Sequence, residues 1–220
     1  MKTRPGEIER GSMAIIRAEL RERGTVLDPE NEAVILRCIH ASADFDYAKT
    51  LHFTPDAVKL GVAALRQGTG IVTDTNMALA GISKPGLTRL GGKASCFMAE
   101  DFIAETAKAE GTTRAVAAMN YAAEHQPGAV LAIGNAPTAL LRITELIEEG
   151  LRPALVIAVP VGFVNVVESK EAVFDACVRN AVPCIAAMGR KGGSSIAAAV
   201  CNALLYTAAG LLEPEARGWN

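Results

Sequence analysis

The stretch RCIHASADFDY, Arg37 to Tyr47, holds residue types suited to proton transfer. His40 interrupts an apolar run, Val34, Ile35, Cys38 and Ile39, that repeats at helical spacing. Arg37 lies three residues before it and Asp44 four after, so all three are expected near one helix face. Arg37 alone favours the neutral imidazole, and Asp44 alone favours the imidazolium. Histidine is the side chain best poised to exchange a proton near neutral pH. The same setting also suits a hydrogen-bonded core histidine. His52, in LHF, reads as structural, and His125, before Gln126-Pro127, reads as a surface cap.

Small-residue turns form a second set of candidates. TDTNM (Thr73 to Met77), GNAPT (Gly134 to Thr138), PVGF (Pro160 to Phe163) and GRKGGSS (Gly189 to Ser195) fall at the carboxyl ends of expected strands. Ligands of open α/β sheets bind there. Three of these turns feed a helix N-terminus, where free N–H groups and the helix dipole favour anions. Each turn equally suits plain chain reversal. No GxGxxG follows a strand, and GRKGGSS lacks P-loop spacing, which counts against a nucleotide-dependent enzyme. Several carboxylates spread around a large ligand fit such turns better than one phosphate. Arg114, in GTTRA, opposes the dipole of the helix it opens. An anionic ligand accounts for that placement, as does a solvated surface position. Lys170 and Lys191 are weaker candidates on the same logic.

These groups need a scaffold, and the chain has 220 residues to build one, enough for a substantial core. Half of the chain is apolar and only 5% aromatic, so Ala, Val, Ile and Leu must fill that core. A formal net charge of −2 offers no bulk attraction for nucleic acid. The five cysteines form no CxxC pair and fit buried thiols in a reducing, cytoplasmic setting. Only Cys38 lies near a histidine, and no metal site is expected. Met1 to Arg10 is polar and does not read as a leader. No apolar run reaches the ~20 residues of a membrane span. Ile196 to Leu212 comes closest and reads as a buried helix.

The elements follow from periodicity and punctuation. Helices are expected from Glu7 to Arg23, from Asp28-Pro29 through the stretch that carries Arg37, His40 and Asp44, and from Thr54-Pro55 to Arg66. Strands GIVTD and KASCFM follow. Then helix TTRAVAAMNYAAEH, strand AVLAIGN, helix TALLRITELIEEG, strand ALVIAVPV, helix VNVVESKEAVFDACVRN, strand CIAAMG and helix SSIAAAVCNALLYTAAG alternate. That order predicts an α/β fold with a mainly parallel sheet and a helical N-terminal segment. Ala80 to Lys93 shows no period and reads as a long loop, a lid or a plain connector. Residues 1–210 are expected to form one domain, with 211–220, including EPEARGWN, as a frayed tail.

Taken together, SMAIIRAE (Ser12 to Glu19), RCIHASAD, TDTNM, TTRA, AIGNAPTAL, PVGFVNVVESK and GRKGGS resemble the precorrin-8 methylmutase family of cobalamin biosynthesis. The likeness spans about Ile8 to Tyr206. It implies an isomerase that moves a methyl group from C-11 to C-12 of a tetrapyrrole, precorrin-8X or cobalt-precorrin-8, without a cofactor. It implies a three-layer α/β/α sandwich working as a homodimer. His40 takes the catalytic position. Substrate contacts fall on Ser12, Arg37, Thr75, Arg114, Asn135, Thr138, Gly162, Lys191 and Ser194. A non-catalytic carrier of tetrapyrroles or other organic anions would use the same turns.

Overall fold

Short apolar runs become strands buried on both faces, because helices cover both sides of the sheet. In the computed structural model, which describes residues 4–218, the strands are β1 (Leu51–Phe53), β2 (Ile71–Thr73), β3 (Ala94–Ser95), β4 (Val130–Ile133), β5 (Leu155–Ala158) and β6 (Cys184–Ala187). They form one sheet in the order β1-β6-β5-β4-β2-β3. Every neighbouring pair is parallel except β1 with β6. The register sets Leu131 beside both Val72 and Val156.

Alternation along the strands divides the core in two. Ile71, Val130, Ala132, Leu155 and Ile157 face one way. They pack under α1 (Pro5–Glu22), α2 (Glu32–Ser42), α3 (Tyr47–Thr50), α4 (Ala57–Arg66), α5 (Asn76–Gly81), α6 (Lys84–Leu90) and α11 (Ser194–Ala209). Val72, Leu131, Ile133, Val156 and Ala158 face the other way. They meet α7 (Asp101–Ala109), α8 (Arg114–His125), α9 (Pro137–Glu148) and α10 (Val166–Arg179). The expected three layers are present. The cysteines are all buried free thiols. No helix of the described residues is long and apolar enough to cross a membrane.

Several expectations are corrected. α2 begins at Glu32, because Asp28 closes a local turn instead, accepting the Glu30 N–H and the Asn31 side-chain amide. Ala80 to Lys93 is largely helical: Ser83 caps α6, Pro85 lies in its first turn and Gly91 ends it. Asn202 of α11 anchors it, accepting the Ser83 N–H at 2.7 Å and donating to the Gly81 carbonyl at 2.9 Å. α7 was not expected; Ile103 and Ala107 are its buried anchors. KASCFM contributes only Ala94–Ser95 to the sheet. Pro214–Arg217 form a 3-10 turn bonded to the body of the protein, so that part of the tail is not frayed. Met1–Thr3 and the end of the tail, Trp219 and Asn220, lie outside the described residues.

Candidate active site

The chain leaves β2 toward β3 on one side, while β4 lies on the other. That reversal opens a crevice at the carboxyl ends of β2 and β4, where α/β proteins bind ligands. Here the crevice is filled from within. Asp74 is 1% exposed, and its carboxylate accepts the N–H groups of Gly134, Asn135 and Ala136 at 2.9, 2.8 and 2.7 Å. Burial holds its carboxyl above the ordinary value, and the three N–H bonds oppose that rise without cancelling it. The backbone donors expected at Asn135 to hold a substrate carboxylate are therefore already used; the Asn135 side chain remains exposed. Next to it, Thr75 caps α5 and its hydroxyl lies 2.8 Å from that of Ser194, the first residue of α11.

The β6–α11 loop reaches this edge through close backbone packing. Gly192 has φ +158°, and a Cβ there would lie 2.1 Å from the Val159 carbonyl oxygen, so only glycine fits. Lys170 is fully buried and donates to the Gly189 and Lys191 carbonyls, both at 2.8 Å. Its ammonium is thus a strut for this loop. Burial lowers it to about 8. Gly162 donates its N–H to the Arg190 carbonyl at 3.3 Å, joining the β5–α10 loop to the same structure. Lys191 extends outward and pairs with Asp44 at 2.7 Å and with Asp46. That pairing raises the lysine and lowers the Asp44 carboxyl.

Asp44 therefore does not flank His40. Ala43, with φ 56°, ends α2 in the left-handed region and turns Asp44 away toward Lys191. The anion near His40 is Glu9 of α1, which accepts from Arg37 Nη1 at 2.8 Å. His40 itself is exposed on the last turn of α2. Burial of part of its ring lowers it below the ordinary histidine value; Arg37 and Arg217 add to that, and Glu9 opposes it. A groove of about 630 Å³ opens beside this cluster, with Met13, Leu36, Arg37 and Leu212 among its lining residues.

The remaining candidates divide between the two regions. Ser12 lies on α1, with its hydroxyl bonded to the Ile8 carbonyl at 2.9 Å. Arg114 opens α8 behind the cap Thr113, whose hydroxyl donates to that of Thr138 at 3.4 Å. Among the described residues the exposed Arg114 guanidinium has no hydrogen-bond or ion-pair partner. Met77, Val161, Phe163 and Val164 are exposed beside these turns. His52 and His125 stay apart from both regions: one meets Phe174 edge-on, the other stacks on Tyr121.

The arrangement combines an exposed imidazole among charges of both signs with a separate row of hydroxyls and cations at the sheet edge. The precorrin-8X methylmutase family profile matches residues 7–207. The chain belongs to this family. Cobalt-precorrin-8 methylmutase of Salmonella typhimurium is 43% identical over 92% of this chain and 95% of its own. Precorrin-8X methylmutase of Pseudomonas aeruginosa is 40% identical over 90% and 93%. The crystal structure of precorrin-8X methylmutase from Thermus thermophilus superposes with a TM-score of 0.82 at 38% identity, over 92% of this chain and 98% of that one. The protein is thus an isomerase of the methylmutase type, and its relatives support a place in cobalamin biosynthesis.

In this methylmutase, the local sequence pattern does not point to Glu9, Asp74 or Arg217. The one trace of Asp74 is its place in TDTNM, as a carboxylate ending an apolar strand, which must find donors once buried. Glu9 and Arg217 are far apart in the chain, and nothing local signals their pairing.

Proposed function

We propose that this methylmutase shifts a methyl group from C-11 to C-12 of precorrin-8X or cobalt-precorrin-8 within one molecule. The product is hydrogenobyrinate or cobyrinate. The names of the relatives supply both substrate forms; any cobalt is part of the substrate. The carrying observation is His40, exposed at the end of α2 between opposite charges. His40 lends a proton to the conjugated ring, the methyl group migrates as its bond to C-11 breaks and its bond to C-12 forms, and the proton returns. Nothing is oxidised or reduced.

In the free enzyme the imidazole is mainly neutral at pH 7, since it is held below its ordinary value. The substrate's own carboxylates favour the imidazolium on binding and so load the acid. Arg114, Lys191, Thr75, Ser194, Thr138, the Asn135 side chain and the Gly162 turn receive acetate and propionate groups. Lys191 does so only by sharing or leaving Asp44 and Asp46. Arg37 and Ser12 contact the substrate from the α1–α2 side. The enzyme works as a cytoplasmic homodimer, whose second subunit covers the exposed apolar side chains beside the turns.

The deciding experiment incubates the protein with metal-free and cobalt-containing precorrin-8 and follows the absorption spectra. Conversion of either supports a mutase and identifies the substrate. Binding without a spectral change, for both, would make the protein a carrier. Sedimentation at micromolar concentration tests the dimer.

A further inference from the structure

The C-terminal turn buries a guanidinium beside the proposed acid. The Arg217 side chain is 7% exposed and shares the Glu9 carboxylate with Arg37: Arg37 bonds Oε1 and Arg217 bonds Oε2. Its Nη1 donates to the carbonyls of Leu211 at 2.9 Å and Leu212 at 3.2 Å, which ties the turn together. Both guanidiniums also lie on the Tyr206 ring, Arg217 at 4.6 Å and Arg37 at 5.2 Å from its centre. Arg10 of α1 clamps the turn further by pairing with Glu215. One carboxylate and one ring thus fix two cations from opposite ends of the chain. The Arg37 guanidinium has its single hydrogen bond among the described residues to Glu9, so its direction depends on this frame.

We propose that Arg217 is a positioning residue of the methyl shift: through Glu9 and Tyr206 it fixes Arg37, and with it the charge environment of His40 on the same helix. This rests on the reading of His40 as the proton donor. Among the described residues, three charged groups act on His40. Arg37 comes from its own helix, Glu9 from α1 and Arg217 from the turn. α11 brings Tyr206 to the same cluster, and on the side of α3 the Asp44 carboxylate is held by Lys191. Removing Arg217 deletes a cation and leaves Glu9 less neutralised, and both changes favour the imidazolium. Removing the charge of Glu9 acts in the opposite sense.

The test uses the full chain with Arg217→Ala, Arg217→Lys and Glu9→Gln. The His40 imidazole is titrated by NMR, its signal identified by its loss in His40→Ala. In Arg217→Ala the midpoint should rise by about 0.5 pH unit, the scale of one nearby charge acting through a largely aqueous dielectric. The pH limb of kcat/KM should move with it, and kcat should fall roughly tenfold as the acid loses its alignment. Arg217→Lys keeps the charge but loses the planar fork, so the midpoint should stay near the parent's while kcat recovers only in part. Glu9→Gln should lower the midpoint, and it decides the matter should Arg217→Ala not fold. A folded Arg217→Ala whose midpoint and pH limb match the parent's would overturn the proposal, as would a Glu9→Gln midpoint that is unchanged or raised. Should the midpoints move as expected while His40→Ala turns over normally, the failure lies in the acid assignment and not in the coupling.

Discussion

The carboxylate of Asp74 accepts the backbone N–H of Ala136 at 2.7 Å and closes the β4–α9 turn with an anion of the protein's own. A turn of this kind is a ready site for a bound anion, and here the site is satisfied before any substrate arrives. In the proposed function, substrate recognition at this edge then falls to side chains one step further out: Thr75, Ser194, Asn135 and Thr138. The edge gains rigidity, because the ends of β2 and β4 are fixed to each other by three bonds.

Asp74→Asn should therefore destabilise the fold. An amide presents one oxygen where three N–H donors converge, and its NH2 group then faces a donor. A buried donor left unsatisfied costs about 1–3 kcal/mol. In a chain of this size that lowers Tm by about 2–4 °C for each kcal/mol. Thermal unfolding of the variant checks this. A Tm equal to the parent's would show that the turn does not depend on the carboxylate.

Lys170 carries a pH signature. Burial holds its ammonium at about 8, whereas an unfolded lysine keeps its proton well above that. Between those values the unfolded chain binds more protons, so this group adds stability as pH rises from about 8 and loses it as pH falls through 8. Lys170→Met lacks that response and also leaves two loop carbonyls without their donor. The parent's advantage in Tm over the variant should widen between about pH 8 and 10. Parallel Tm curves over that range would rule out the titration.

How far these features could be read from residues alone depends on their range. Continuous apolar runs such as Val130–Ile133 and Leu155–Ala158 marked the central strands, because burial on both faces leaves no polar alternation. Cap residues were legible where they act locally, as with Thr113, which accepts the Val116 N–H. Lys84–Leu90 is too short for a period to show, although Ser83, Pro85 and Gly91 spelled out its ends. The pairing of His40 with Asp44 assumed a helix continuing past Ser42, and the left-handed Ala43 breaks that assumption. Glu9, Arg37 and Arg217 meet only through tertiary packing, so no spacing rule connects them.

Arg114→Ala tests the row of turns. An exposed guanidinium at the dipole-positive end of α8, with no partner among the described residues, is electrostatically costly until an anion reaches it. In the proposed function, a charge-assisted bond to a substrate carboxylate offsets that cost. Product affinity should fall about tenfold or more on truncation, with Tm unchanged or slightly raised. Equal dissociation constants for parent and variant would return Arg114 to the solvated surface.

The role of His40 has a sharper readout than lost turnover alone. Its imidazole lies below the ordinary histidine value in the free enzyme, because burial and two guanidiniums outweigh Glu9. A general acid must be protonated, so kcat/KM, which reports the free enzyme, should rise as pH falls through the region below about 6.5. In the complex the substrate's carboxylates stabilise the imidazolium, so the same limb in kcat should appear at higher pH. His40→Ala should abolish both limbs and cut turnover by ~10²–10⁴, the usual worth of a positioned acid. Its exposed side chain supports little packing, so folding and product binding should persist. A core role predicts the reverse: a lower Tm, with turnover per folded molecule intact. Turnover, product affinity and Tm measured on one His40→Ala sample separate the two accounts, and a stable, ligand-binding variant with both pH limbs preserved would remove His40 from the chemistry.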